Sequence, residues 1–84
     1  MIDLTLLTRS GCRLCDEMKE VVQAVARKVQ PTHRLRLTEV DISARPELEA
    51  RWGTVIPVLL CGEREIARHR VSAAQLAAAI SRLP

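Results

Sequence analysis

Leu6-Leu7-Thr8-Arg9-Ser10-Gly11-Cys12-Arg13-Leu14-Cys15-Asp16-Glu17-Met18 joins two segments of different hydrophobic period. Upstream, Ile2 to Thr8 alternates, with Ile2, Leu4 and Leu6 on one face and Leu7 on the other, as a strand covered on both faces requires. Downstream, Leu14, Met18, Val21, Val22, Val25, Ala26 and Val29 fall on one stripe of a helix, opposed by Glu17, Lys19, Glu20, Gln23, Arg27 and Lys28. Pro31 stops that helix. The turn Arg9-Ser10-Gly11 therefore hands a strand to a helix, and Cys12 and Cys15 sit at the handover.

The remaining chain continues the alternation of elements. Leu35, Leu37, Val40 and Ile42 give a second strand ending in Val40-Asp41, where Asp41 reads as a turn or helix-cap residue. Pro46 to Trp52 predicts a short helix with Pro46 in its first turn, Leu48 and Trp52 on one face, and Gly53 placed to cap it. Val55 to Cys61 is apolar apart from Pro57, which begins a third strand; Gly62-Glu63 makes a hairpin turn, and Arg64 to Arg68 returns as a fourth. Ser72 and Gln75 have capping-box spacing and open a last helix that buries Leu76, Ile80 and Leu83. The order β-α-β-α-β-β-α implies a right-handed first crossover, a parallel pair, and an antiparallel hairpin in the same sheet. The predicted fold is α/β, a mixed four-stranded sheet with helices on both faces.

Composition narrows the function. The 84 residues, 48% hydrophobic and 27% charged, make one domain, 1–84, and no apolar run approaches the ~20 residues a membrane span needs. Trp52 is the single aromatic residue, so base stacking has almost nothing to work with. The net charge of +3 is spread without a Lys/Arg block, and Arg outnumbers Lys eleven to two. Neither nucleic acid nor membrane is an expected partner, and a monomer is expected. Met1 to Leu7 carries no basic flank or small-residue cleavage site, so a cytoplasmic location is expected. In that compartment a Cys-x-x-Cys pair suits redox or metal chemistry better than a structural disulfide.

Cys12 lies near the unpaired N–H groups and the positive end of the first helix, which favours thiolate over a free thiol titrating at about 8.5. Arg9 and Arg13 act in the same direction, Asp16 and Glu17 against it. Cys15, one turn on and further covered, is the natural resolving thiol: Cys12 attacks a disulfide, and Cys15 then attacks the mixed disulfide. Such attack needs the substrate held flat. A cis Ile56-Pro57 bond would present the Ile56 backbone as an edge for an incoming peptide.

Together the Cys-x-x-Cys, the Val-Ile-Pro ahead of the third strand and the element order resemble the thioredoxin fold in its glutaredoxin-like form, from Ile2 to Leu83. The strings Thr8 to Asp16, Val40-Asp41, Arg51-Trp52-Gly53 and Ile56-Pro57-Val58-Leu59 are similar to a family of small bacterial glutaredoxin-like proteins. The resemblance implies that Cys12 is the nucleophile, Cys15 the resolving thiol and Pro57 a cis proline. It implies a disulfide-bearing protein or small thiol as partner, and glutathione or thioredoxin reductase as electron donor, with no prosthetic group. Thioredoxins carry Trp where Gly11 stands, and glutaredoxins carry Gly-Gly near Arg68-His69-Arg70, so glutathione would lack its usual seat as co-substrate.

The hairpin brings Arg68, His69 and Arg70 back toward the cysteines, where with Arg9, Arg13 and, less directly, Arg64 they are expected to form a basic rim that receives acidic substrates. Cys61 should lie ~13 Å along the third strand from Pro57 as a buried small hydrophobe. Zinc or iron–sulfur binding would need four ligands; His33 is predicted beyond a helix ~25 Å long, leaving His69 as the one partner for the pair. Metal binding is therefore not expected. The competing reading from another class is a docking module that uses Ile56-Pro57 and treats the thiols as a switch without turnover.

Overall fold

The computed structural model describes residues 1–29 and 34–83, so Pro31 and His33 lie outside the described residues. The elements are β1 (Ile2–Thr8), α1 (Arg13–Val29), β2 (Leu35–Asp41), a short 3-10 turn (Ile42–Ala44), α2 (Pro46–Trp52), β3 (Val58–Cys61), β4 (Arg64–Arg68) and α3 (Ala73–Ser81). This is the expected order. The sheet order is β2-β1-β3-β4, with β1 parallel to β2 and both other pairs antiparallel. The parallel pair needs a long crossover, which α1 supplies.

Period-two alternation sends adjacent residues of the central strands to opposite faces. Leu4, Leu6 and Leu59 meet Met18, Val22 and Val25 of α1 and Leu76 and Ile80 of α3. Leu7 and Val58 point the other way, to Ile42, with Leu48 and Trp52 of α2 packed around them. The Arg51 guanidinium lies 4.8 Å from the Trp52 ring centroid and covers its outer side. At α3 the capping box forms in full: Ser72 Oγ accepts the Gln75 N–H and Gln75 Oε1 accepts the Ser72 N–H, each at 3.0 Å.

Several boundaries differ from the sequence reading, each for a local reason. Ile42 leaves the second strand because the Asp41 carboxylate accepts the Ser43 N–H at 2.9 Å and the Ser43 hydroxyl at 2.6 Å, starting a 3-10 turn in place of further pairing. The third strand begins at Val58 and not earlier, since the Val55 N–H is taken by Trp52 O at 2.9 Å and Pro57 has none to give. Gly53 caps α2 in a right-handed conformation (φ −55°). A Cβ there would stand 2.5 Å from Glu49 O and 2.6 Å from Glu49 Oε1, so close approach explains this glycine. Leu83 lies past the end of α3 and is half-buried, as is Cys61, which packs at the margin of the α1–α3 side of the core.

The hydrogen bonds from Ser43, hydroxyl first and N–H second, hold the Asp41 carboxyl below the usual carboxylate range, with Arg9 adding to the effect. A depressed folded-state pKa gives stability that is present above the ordinary range and lost as pH falls through the folded value. Asp41→Ala should therefore lower the urea midpoint near neutral pH, with the gap to wild type narrowing from about pH 5 to about pH 3. A gap of constant size across that window would count against the cap.

Candidate active site

β1 ends at Thr8, and the chain reverses through Arg9, Ser10 and Gly11. Gly11 has φ 77°, a left-handed conformation that side chains resist, which fits the tight exit from the strand. The Cys12 N–H donates to Arg9 O at 3.2 Å and closes the turn; the Asp16 N–H donates to Cys12 O at 3.2 Å and opens the helix. Cys12 thus occupies the N-cap position. Its Sγ accepts the Cys15 N–H at 3.1 Å, doing with sulfur what a Ser or Asp oxygen does at an ordinary cap. An otherwise unpaired helix donor points at the sulfur, and negative charge on Cys12 is stabilised there.

Cys12 and Cys15 are joined as a disulfide with their Cα atoms 5.2 Å apart, within the ordinary range. Their exposure is unequal, since Cys15 is 1% exposed and Cys12 is half-buried. Only Cys12 is open to an incoming molecule. Cys61 is the free cysteine among the described residues and lies at the far end of β3, next to the hairpin turn.

The Ile56–Pro57 bond is cis, as the resemblance implies. Leu7 pairs with Val58 and Val58 with Arg68, so Thr8, Pro57 and His69 form the next row across the three strands. That row lies at the end of the sheet from which Cys12 departs. Pro57 itself is buried and Ile56 half-buried. His69 adopts φ 61°, and its N–H donates to Pro57 O at 2.8 Å, tying the β4–α3 corner to the proline.

The five arginines of the expected rim are placed differently from one another. Arg9 donates from Nη2 to Glu49 Oε1 of α2. Arg68 makes two bonds to Glu65, both 2.7 Å, and Arg70 lies 3.9 Å from Glu17. Arg64 pairs with Cys61 beside the hairpin turn, at the opposite end of the sheet. Arg13 is exposed and has no carboxylate partner among the described residues. Beside Glu17 opens a hollow of about 240 Å³, floored by Met18, Val21 and Val71 and edged by His69, Arg70, Ser72 and Gln75. Neither this hollow nor Glu49 was foreseen from the sequence. Among the described residues no group of three His, Cys, Asp or Glu side chains is arranged to hold a metal ion, and no helix is long and apolar enough to cross a membrane.

Residues 3–81 match the family model described as Glutaredoxin-like domain (DUF836). A relative from Dictyostelium discoideum, a glutaredoxin-like protein described as a YDR286C homolog, is 28% identical over 72 residues, covering 83% of this chain and 67% of its own. Among solved structures, protein XcR50 from X. campestris is 32% identical with a TM-score of 0.77, covering 96% of this chain and 99% of the other. Thioredoxin 1 from Thermosipho africanus, at 20% identity and TM-score 0.62, covers 96% of this chain and 92% of its own, and shares the fold.

Proposed function

The chain belongs to the glutaredoxin-like domain family and has the thioredoxin-like fold, and from that premise we propose that it is a dithiol thiol–disulfide oxidoreductase with Cys12 attacking and Cys15 resolving. One observation carries the reading: an accessible sulfur at a helix N-cap accepts the N–H of a buried second cysteine with which it forms a disulfide. The capping N–H and the helix dipole favour the Cys12 thiolate, which is the form that attacks.

In the reduced protein, Cys12 thiolate attacks one sulfur of a substrate disulfide. A Cys12–substrate bond forms, the substrate S–S bond breaks, and the other sulfur leaves as thiolate. Cys15 loses its proton and attacks Cys12 Sγ, expelling the second substrate thiolate and closing the Cys12–Cys15 disulfide. The substrate gains two electrons from the protein and, on protonation, two protons, one released by Cys15 and one taken from solvent. A thiol reductant, glutathione or the dithiol of a thioredoxin reductase, reverses the change on the protein. A reducing compartment such as the cytoplasm suits this cycle.

A disulfide-bearing chain would lie along Ile56 and Pro57, with Arg13 the arginine best disposed to meet an acidic group beside the reacting sulfur. The test is catalytic reduction of a model protein disulfide, with glutathione plus its reductase and with thioredoxin reductase as alternative donors. Turnover far beyond one equivalent per Cys pair is expected with one of them. Stoichiometric reaction only, with both donors, would overturn the proposal in favour of a docking or switch module.

A further inference from the structure

Two pieces of the molecule must meet a disulfide substrate at once, and they come from different parts of the chain. The Cys12 turn hangs from the end of β1, whereas Ile56 and Pro57 follow α2. In-line attack sets the spacing between them, since three sulfurs must lie nearly in a row while the substrate backbone rests beside Ile56. The Arg9–Glu49 ion pair reaches from the first piece to the second across 40 positions of sequence.

Both partners are placed to transmit position. The Arg9 carbonyl accepts the Cys12 N–H, so the residue that makes the ion pair also closes the turn that carries the nucleophile. The Glu49 carbonyl accepts the Gly53 N–H, which fixes the end of α2 ahead of Val55, Ile56 and Pro57. Gly53 also leaves room for the carboxylate, because a Cβ there would stand 2.6 Å from Glu49 Oε1. Asp41, opposite Thr8 in the β1–β2 register, is a second carboxylate near enough for the Arg9 charge to help hold it ionised. The guanidinium is thus engaged toward α2.

We propose that Arg9 and Glu49 are positioning residues, a pair that holds the Cys12 turn and the Ile56–Pro57 segment in the register that disulfide exchange requires. This rests on the exchange reading of Cys12 and moves Arg9 out of the set of residues that contact substrate. Both side chains are about two-fifths exposed, at 38% and 42%, so the pair adds little to global stability and its variants remain folded. Its effect falls on alignment, where a small displacement of reacting groups lowers rate steeply.

The experiment compares R9A, E49A, the double variant and R9K, each also carrying Cys15→Ser. Two rates are measured: mixed-disulfide formation with a peptide disulfide, which needs docking, and Cys12 alkylation by iodoacetamide, which does not. Each alanine variant should lose about tenfold in the first rate and less than about twofold in the second. The double variant should be no slower than either single, because a pair acting as one unit is broken once, and R9K should recover part of the loss. Additive losses, unchanged exchange, or alkylation falling in parallel with exchange would each overturn the pairing while leaving Cys12 as nucleophile. Failure of the parent Cys15→Ser protein to form any mixed disulfide would overturn the exchange reading, and this inference with it.

Discussion

Turnover of a disulfide substrate should fall by at least about 10³-fold when Cys12 becomes Ser, the scale expected when a covalent nucleophile is removed. Cys15→Ser behaves differently. Its first step survives, because Cys12 keeps its exposure and its place at the helix N-terminus, and the backbone N–H of residue 15 is still there to donate to Cys12 Sγ. The second step has no thiol to perform it, so the Cys12–substrate disulfide accumulates and is read on a non-reducing gel and by mass. The same variant reports the charge state of Cys12. A donor N–H and the helix dipole stabilise the thiolate, so the alkylation midpoint should lie below the free-cysteine value of about 8.5. Accumulation of a Cys15-linked adduct in Cys12→Ser, or a midpoint at or above that of free cysteine, would reverse the assigned roles.

Features set by neighbouring residues were legible in the sequence. The strand-to-helix change at Gly11, the capping box at Ser72 and Gln75, the hairpin at Gly62 and the short helix opened by Pro46 depend on contacts within a few positions. The unequal exposure of the two cysteines followed from helical spacing. Features set by the meeting of distant segments were not. Nothing in the residues around Glu49 marks it as the partner of Arg9, 40 positions away; the fold alone brings α2 beside Arg9. Arg68 shows a second reason: three residues apart in a regular strand, Glu65 and Arg68 would face opposite sides. A bulge at Ile66 turns both Ile66 and Ala67 toward the α1–α3 core and leaves Glu65 and Arg68 on a common side, where they bond. The return of the hairpin predicts a basic rim; only the folded packing shows how much of its charge already has a partner.

Leu59→Ala should be among the most damaging of the simple truncations, and the way it damages the protein tests how the two halves of the core are joined. Leu59 is fully buried on β3 between Leu6 and Ala67, facing α1 and α3. A Leu→Ala change in such a site costs about 2–5 kcal/mol. At ~0.05–0.15 kcal/mol per residue, an 84-residue domain has roughly 4–13 kcal/mol in all, so the loss takes a large share of it. Trp52, the single aromatic residue, packs on the opposite face around Leu7, Ile42 and Val58. Those two clusters share backbone: Leu6 with Leu7 on β1, and Val58 with Leu59 on β3, are adjacent residues pointing opposite ways. Neither face can lose its strands while the other keeps them. Trp52 fluorescence and far-UV circular dichroism should therefore report one urea transition, displaced by the same amount in Leu59→Ala although the cavity lies across the sheet from the indole. A fluorescence midpoint that stays at the wild-type value while the dichroism midpoint falls would mean that the α2 face holds together without the core on which α1 rests.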